Sequence, residues 1–397
     1  MTINLRPHQS RAIEAMNSND IGQIIVPTGG GKTFIMIQDA INRFESPVSK
    51  TIVIVAPRIL LAQQLCADFV EFIPSADVLH VHSGKNEYLN TTKIDEIEEW
   101  YHNSTKNQLI FTTYHSLHKI VESLDIEVDT VYYDESHNSV TRSFFPKVQN
   151  LGADRTYFFT ATPRIAKKHE RGMNNPLVYG TRICNVEAQE LIDGGAILPP
   201  TLVPHVTEEE PHNAILDILD ACEGTVKCLV SVPSSRVLGH MIGHTSLLEE
   251  LKQRGLNILH ITSKFGAYVN DKKVSRQEFF KTLSEWGKDK LNNFVVLHYS
   301  ILSEGINVSG LTHTIMLRYQ SVVEMAQTIG RVIRLDSEDR QRINTGELTP
   351  CNWSLYNKPT GFVTVPVHKK SAHIVRRLQK VINSIFVDGV PPVSIVS

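Results

Sequence analysis

The sequence predicts an α/β protein of two tandem domains, each a mostly parallel sheet with helices on both faces. Three observations carry that expectation. The chain has 397 residues, whereas a single hydrophobic core stops growing at about 250–300. Short apolar runs rich in β-branched residues recur without polar–apolar alternation, as strands covered on both faces do. Helix-length stretches separate those runs, and strand–helix–strand repetition builds right-handed βαβ units around a parallel sheet.

In the first half the strand runs are Gln23–Val26, Thr51–Ala56, Gln108–Thr112, Thr130–Asp134 and Thr156–Thr160, with helices expected over Thr33–Phe44 and Leu60–Phe72. The second half repeats the rhythm with strands over Lys227–Val232, Asn257–Ile261, Asn293–Tyr299 and His313–Leu317. Its expected helices are Leu238–Arg254, Arg276–Trp286 and Val322–Ile333. Turn residues cluster between the halves, in Asp193-Gly194-Gly195-Ala196-Ile197-Leu198-Pro199-Pro200, and the acidic Glu208-Glu209-Glu210 follows. The expected division is a first domain over residues 1–192, a linker over 193–210 and a second domain over 211–397. Past Asp336 the pattern fades until a helix over Ala372–Phe386, where Ile374, Leu378, Val381 and Ile385 share one face.

Composition narrows the function class. The chain carries 40 Lys+Arg against 42 Asp+Glu, a net charge of −2, and is 41% hydrophobic, which excludes a mainly disordered or fibrous protein. No apolar run approaches the roughly 18–20 residues that span a bilayer, and the first residues, MTINLRPHQ, lack the apolar stretch of a secretory signal. Five cysteines (Cys66, Cys184, Cys222, Cys228 and Cys351) form no CxxC pair and read as free thiols of a reducing compartment. A cytoplasmic protein without a membrane partner is expected. With charges so nearly balanced, a nucleic-acid site must be a local groove.

The strongest chemical signal is Val26-Pro27-Thr28-Gly29-Gly30-Gly31-Lys32-Thr33, between the first strand and the first helix of the sheet. Such a loop turns successive backbone N–H groups inward, and the helix N-terminus adds its positive dipole end. The glycines admit phosphates that a Cβ would obstruct, Lys32 brings charge to the β- and γ-phosphates, and the Thr33 hydroxyl can ligate Mg²⁺. Val26 departs from the phosphate-loop pattern, which has glycine at that position. The competing reading is a structural glycine turn, and the strand-to-helix setting argues against it.

Tyr132-Tyr133-Asp134-Glu135-Ser136-His137 closes another expected strand, at the sheet edge where the phosphate loop also opens. Asp134 is placed to hold Mg²⁺, and Glu135 to orient and deprotonate an attacking water. Acidic residues after a strand are more often a solvated turn or helix cap; their position about a hundred residues after a phosphate loop gives them weight. The first half offers no arginine for the charge that develops on a γ-phosphate, but the second half has Gln327-Thr328-Ile329-Gly330-Arg331-Val332-Ile333-Arg334 on an expected helix. Arg331 and Arg334, three apart, should share a face, with Gln327 one turn earlier.

The ordered series LRPHQ, PTGGGKT, VAPR, TTYHS, DESH, TAT, SEGIN and QTIGRVIR, from Leu5 to Arg334, resembles the superfamily 2 helicases and translocases. In style it is similar to phage UvsW-type helicases and to the motor part of type I and type III restriction enzymes. DESH is neither the DEAD nor the DEAH form. The resemblance implies two tandem recA-like domains with ATP in the cleft between them, and ATP and Mg²⁺ as cofactors. Arg6 and Gln9 are then expected at the adenine; Thr28, Gly29, Gly30, Gly31, Lys32 and Thr33 at the phosphates; and Asp134 and Thr33 at the metal. Glu135 is expected to act on water. His137, Thr160 and Thr162 would couple the nucleotide to the strand-binding surface. Gly305 and Asn307 would approach the nucleotide from the second domain, where Gln327, Arg331 and Arg334 reach the γ-phosphate on closure. Backbone contacts to a nucleic-acid strand, independent of base sequence, fall to Pro57, Arg58, Thr112, Thr113, Tyr299 and Ser300.

The function so implied is an ATP-hydrolysing nucleic-acid helicase or translocase, acting on DNA in preference to RNA. The alternatives are the motor subunit of a restriction or defence complex working with a protein partner, an RNA helicase, and an ATP-switched clamp that unwinds nothing. Two other signals fail. His240 and His244 are four apart, but Met241 stands where a zinc-protease helix carries Glu. Glu250-Leu251-Lys252 has a nuclease-like ExK form without the preceding Pro-Asp.

Overall fold

A computed structural model describes residues 4–84, 86–123, 125–167, 170–262, 264–299, 308, 310–318, 320–367, 372–391 and 393–396. The chain divides into two compact units, Met1–Val186 with Pro391–Ser397, and Glu187–Val390.

The first unit contains β1 (Ile21–Ile25), β2 (Thr51–Ala56), β3 (Asp77–Val81), β4 (Leu89–Asn90), β5 (Gln108–Thr113), β6 (Thr130–Tyr133), β7 (Arg155–Thr160), β8 (Arg164–Ala166) and β9 (Thr181–Asn185). Its helices are α1 (Pro7–Asn17), α2 (Lys32–Phe44), α3 (Ile59–Phe72), α4 (Ile94–Asn103), α5 (His118–Glu122), α6 (Phe145–Asn150) and α7 (Pro176–Tyr179). Eight of the strands form one sheet in the order β4-β3-β5-β2-β6-β7-β1-β9, parallel throughout. The five strands expected from the sequence all lie in its interior. β2 shows why: all six of its residues are buried, so Thr-Ile-Val-Ile-Val-Ala carries no polar period. The strands not expected are marginal, or broken by polar residues. β9 lies at the edge with only Cys184 buried, and β3 contains His80, fully buried among Leu79 and Val81.

The second unit contains α8 (Ala188–Asp193), β10 (Pro200–Val206), α9 (Pro211–Asp220), β11 (Lys227–Ser231), α10 (Ser235–His244), α11 (Leu247–Gln253), β12 (Asn257–Thr262), β13 (Gly266–Val269), β14 (Lys272–Val274), α12 (Arg276–Lys288), β15 (Phe294–His298), β16 (His313–Met316), α13 (Val322–Val332), α14 (Ser337–Asn344), β17 (Gly361–Val367) and α15 (Ala372–Phe386). The sheet order is β10-β17-β16-β11-β15-β12-β13-β14. It is parallel as far as β12 and ends in the antiparallel β13–β14 hairpin. The α/β class and the parallel sheets are as the sequence predicts.

Three details differ. Residues 200–206, expected inside the linker, form β10 and pair along their whole length with β17. The helix expected over Leu238–Arg254 is two helices, because Thr245 is extended and its hydroxyl closes α10 on the Met241 carbonyl. The last residues, assigned to the second domain, form β18 (Ser394–Val396) and pair with β8 of the first unit. Leu378, Val381 and Ile385 of α15 are buried together as the periodicity requires. Among the described residues all five cysteines are free, and no helix is long and apolar enough to cross a membrane.

Candidate functional site

The phosphate loop begins where β1 leaves the sheet. The Val26 N–H still donates to the Thr160 carbonyl at 3.0 Å; the chain then turns through Thr28, Gly29, Gly30 and Gly31 into α2, which opens on Lys32 and Thr33. Gly29 and Gly31 have φ of 90° and 80°, the left-handed region that glycine enters without strain. A Cβ at Gly31 would also meet the amide end of the Gln9 side chain, which would have to shift.

α1 pins this loop from behind. His8 Nε2 hydrogen-bonds the Gly30 carbonyl at 2.8 Å, and because a carbonyl only accepts, that nitrogen carries the proton. Gln9 Nε2 donates to the Gly31 carbonyl at 3.3 Å, while its Oε1 accepts the Arg6 N–H at 2.8 Å. In a trans peptide the C=O and the following N–H point opposite ways. Tying the carbonyls of Gly30 and Gly31 to α1 therefore directs the N–H groups of Gly31 and Lys32 away from it, as an anion nest requires. Gln9, expected at the adenine, is here engaged at both ends of its amide within the protein. His8 was not singled out from the sequence; an isolated histidine in a helix gives no signal until the loop is folded beside it.

The two carboxylates follow β6. The Asp134 N–H donates to the Val55 carbonyl at 2.9 Å, and the Asp134 carbonyl accepts from the Tyr114 hydroxyl at 2.9 Å. Its side chain is buried, and Oδ1 has no hydrogen-bond partner among the described residues. Burial, then the neighbouring Glu135 carboxylate, push its pKa up to about 7 against the pull of Lys32. A buried carboxylate oxygen with no donor suits a cation, and Mg²⁺ is usually held by one or two carboxylates plus substrate phosphates. Among the described residues no cluster of three metal-ligating side chains exists, and this mode of binding needs none. Asp134 thus fits the metal that the motifs imply, and Thr33 stands in the first turn of α2, after the loop.

Glu135 has φ 45° and ψ 49°, a left-handed conformation that costs a non-glycine residue about 1–2 kcal/mol. Such strain persists only where the surrounding structure holds it. His137 Nδ1 lies 3.4 Å from Glu135 Oε2, 3.1 Å from Thr160 Oγ1 and 3.3 Å from Thr162 Oγ1, while Thr160 Oγ1 accepts the Thr162 N–H at 3.0 Å. The three residues expected to couple nucleotide and strand form one buried cluster with Glu135.

On the expected strand-binding surface, Arg58 is exposed and Pro57 half-buried after β2. Thr112 is a correction: it is fully buried, and its hydroxyl donates to the Val81 carbonyl at 2.9 Å, so the side chain is unavailable to a strand. The Thr113 hydroxyl accepts the Ser116 N–H at 3.3 Å.

In the second unit α13 starts with a full capping box: the Ser321 hydroxyl accepts the Glu324 N–H at 3.2 Å, and Glu324 Oε2 accepts the Ser321 N–H at 2.9 Å. Gln327 and Arg331 sit on α13 and are buried. Arg334 does not share the helix, as the sequence had suggested. α13 ends at Val332, and Arg334 lies beyond it in an isolated antiparallel bridge with Ile197. Burial, then Arg340, lower its pKa to about 10, so it stays protonated at neutral pH. The Tyr299 ring carries the Arg318 guanidinium 5.1 Å above its centre. Ser300, Gly305 and Asn307 lie outside the described residues.

Residues 2–165 match the family model described as Type III restriction enzyme, res subunit. Among solved structures, the DNA-bound Type ISP restriction-modification enzyme LlaBIII superposes with TM-score 0.72 at 15% identity, covering 100% of this chain and 31% of that one. A nuclease-deletion mutant of the Type ISP enzyme LlaGI with a DNA substrate mimic gives 0.65 at 17% identity, covering 98% and 30%. Mss116p bound to single-stranded RNA and AMP-PNP gives 0.63 at 17% identity, covering 99% and 74%. At these identities the structures establish the fold. The chain spans about a third of the length of the two restriction-modification enzymes. No curated protein sequence matches it. Over residues 2–165 the chain is thus similar to the res subunit of type III restriction enzymes, and across both units its fold is that of the solved structures named above.

Proposed function

We propose that the protein is an ATP-driven motor that moves along nucleic acid, DNA in preference to RNA, hydrolysing ATP as it goes. The observation that carries this reading is the joining, on one parallel sheet, of a pinned phosphate loop, a bare buried Asp134 and a strained Glu135 beside His137, whose imidazole meets Thr160 and Thr162. The N–H groups of the loop and Lys32 bind the β- and γ-phosphates. Glu135 orients a water and takes its proton as the water oxygen bonds to γ-phosphorus and the bond to the β–γ bridging oxygen breaks. Mg²⁺, when held by Thr33 and Asp134, neutralises charge on the phosphate oxygens. Arg331 and Arg334, with Gln327, are assigned to the γ-phosphate, Arg334 as the arginine that stabilises the transition state. Arg6 contacts the adenine. Pro57-Arg58, the Thr113 main chain, Tyr299 and Ser300 take the strand, and Gly305 and Asn307 the nucleotide.

The test is ATP turnover measured side by side with single-stranded, duplex and branched DNA and with RNA. Lys32→Ala should abolish turnover; Arg334→Ala should keep nucleotide binding and lose at least about 10³-fold in rate. Normal hydrolysis by both variants ends the assignment, and stimulation by RNA alone reverses the preference for DNA. A second reading, a motor subunit within a restriction complex, is favoured by the match of residues 2–165 to the res subunit of type III restriction enzymes. Co-purification with a nuclease or methyltransferase supports it.

A further inference from the structure

The last turn of α13 ends at Val332, leaving carbonyls with no helical donor ahead of them. A side chain from far along the sequence satisfies them. Lys358 Nζ donates to the Val332 carbonyl at 2.6 Å and to the Arg334 carbonyl at 2.7 Å. Lys358 is 7% exposed, and both acceptors are main-chain oxygens. Its own position is set from α14, where the wholly buried Asp339 accepts the N–H of Asn357 at 3.0 Å and of Lys358 at 3.1 Å.

Packing alone does not account for an ammonium here. Burying a cation is costly, and an apolar side chain of similar length would fill the same space at less cost. A cation has a use at a helix C-terminus, where the carbonyl ends of the peptide dipoles gather. Burial lowers the Lys358 pKa to about 7; among the charged groups around it Asp336 and Asp339 favour the ammonium, and Arg334 and Lys227 oppose it. Either form of the amine has N–H groups to donate to the two carbonyls; the imidazole of His313 also feels its charge. The two carbonyls it grips flank Ile333, the residue at which the chain leaves the helix between Arg331 and Arg334.

We propose that Lys358 is a positioning residue: by gripping the carbonyls on either side of Ile333 it sets the path of the chain from Arg331 to Arg334, and with it where the two guanidinium groups reach. The role rests on the assignment of those arginines to the γ-phosphate.

The test compares Lys358→Met, Lys358→Gln and Lys358→Arg in the full chain. Turnover with saturating DNA, KM for ATP, melting temperature and amide exchange over residues 329–334 are read for each. Expected for Lys358→Met and Lys358→Gln are a fall in kcat of about tenfold to a hundredfold, a KM changed by no more than about twofold, and faster exchange in that segment. Lys358→Arg, which keeps a donor cation, should recover most of the rate, and Lys358→Met added to Arg334→Ala should slow it no further. Unchanged kcat in a folded Lys358→Gln, beside an Arg334→Ala that has lost activity, overturns the proposal and leaves the arginine assignment standing. An Arg334→Ala that hydrolyses at the wild-type rate overturns both.

Discussion

His8 and Gly30 are joined across the first unit by a hydrogen bond of 2.8 Å from the imidazole Nε2 to the glycine carbonyl. If the loop binds ATP as proposed, that contact makes α1 a support of the nucleotide site without requiring it to touch the nucleotide. His8→Phe keeps a ring in the buried position and removes the donor. Nucleotide affinity should fall about tenfold, close to the value of one buried hydrogen bond. His8→Gln, which restores a donor, should fall less. Titration with a fluorescent ATP analogue reads this directly; wild-type affinity in the Phe variant would show that the loop holds itself.

Strain and chemistry can be separated at Glu135. Glu135→Gln retains the side-chain volume and the φ of 45°, so melting should be nearly unchanged while ATP turnover drops by at least about 10²-fold. Glu135→Gly loses the same chemistry but relieves the left-handed backbone, and should be the more stable variant by about 1 kcal/mol. Denaturant melts of the two, with ATPase assays alongside, form the comparison. A glycine variant less stable than the Gln variant contradicts the strain.

Thr112→Val removes a hydroxyl that is already committed to Val81. The expected loss is about 1 kcal/mol of stability, with affinity for single-stranded DNA unchanged, since the side chain is buried. Fluorescence anisotropy with a labelled oligonucleotide decides; weakened binding in a stably folded variant returns Thr112 to the strand surface.

Acid should unfold the second unit before the first. Burial lowers the pKa of His260, His298 and His313 from 6.5 to about 4, 3 and 4, with Arg331 and Arg318 adding to the effect at His298 and Lys358 at His313. In the first unit His80 falls likewise to about 4, by burial and then His82, and burial lowers His82 as well, so the second unit has three such groups against two. The folded forms stay neutral where the unfolded chain takes up protons. Their stabilising contribution is therefore complete above pH 6.5 and is lost as the pH falls towards the folded values, at about 1.4 kcal/mol per pH unit for each. His298→Asn should flatten the second unit's stability profile between pH 6 and 4 by about that slope. Urea melts at half-unit pH intervals measure it, and an unchanged slope refutes the assignment.

The legible parts of the site share one property: their chemistry is written in contiguous residues. Val26 to Thr33 announces a phosphate loop because glycines, lysine and threonine must follow one another where a strand becomes a helix. Asp134, Glu135 and His137 are read the same way, and the six-residue run of β2 is plain because every position is buried. β3 and β9 are harder to see, since His80 interrupts one and the exposed edge of the sheet the other. β17 is hidden by its partner β10, whose residues precede it in the chain by more than 150 positions.

Local spacing thus determined the α/β class, the interior strands, the phosphate loop and the carboxylate pair, because periodicity and motif order are properties of neighbours in the chain. Tertiary structure alone decided that His8 and Gln9 hold the loop, that Thr112 turns into the sheet, that Arg334 lies past the end of its helix and that Lys358 caps that end. Each of these is a hydrogen bond or a burial between residues more than twenty positions apart, or a helix terminus set by such a contact. Donor and acceptor meet only after the sheet has brought their elements together, so no window of sequence contains both.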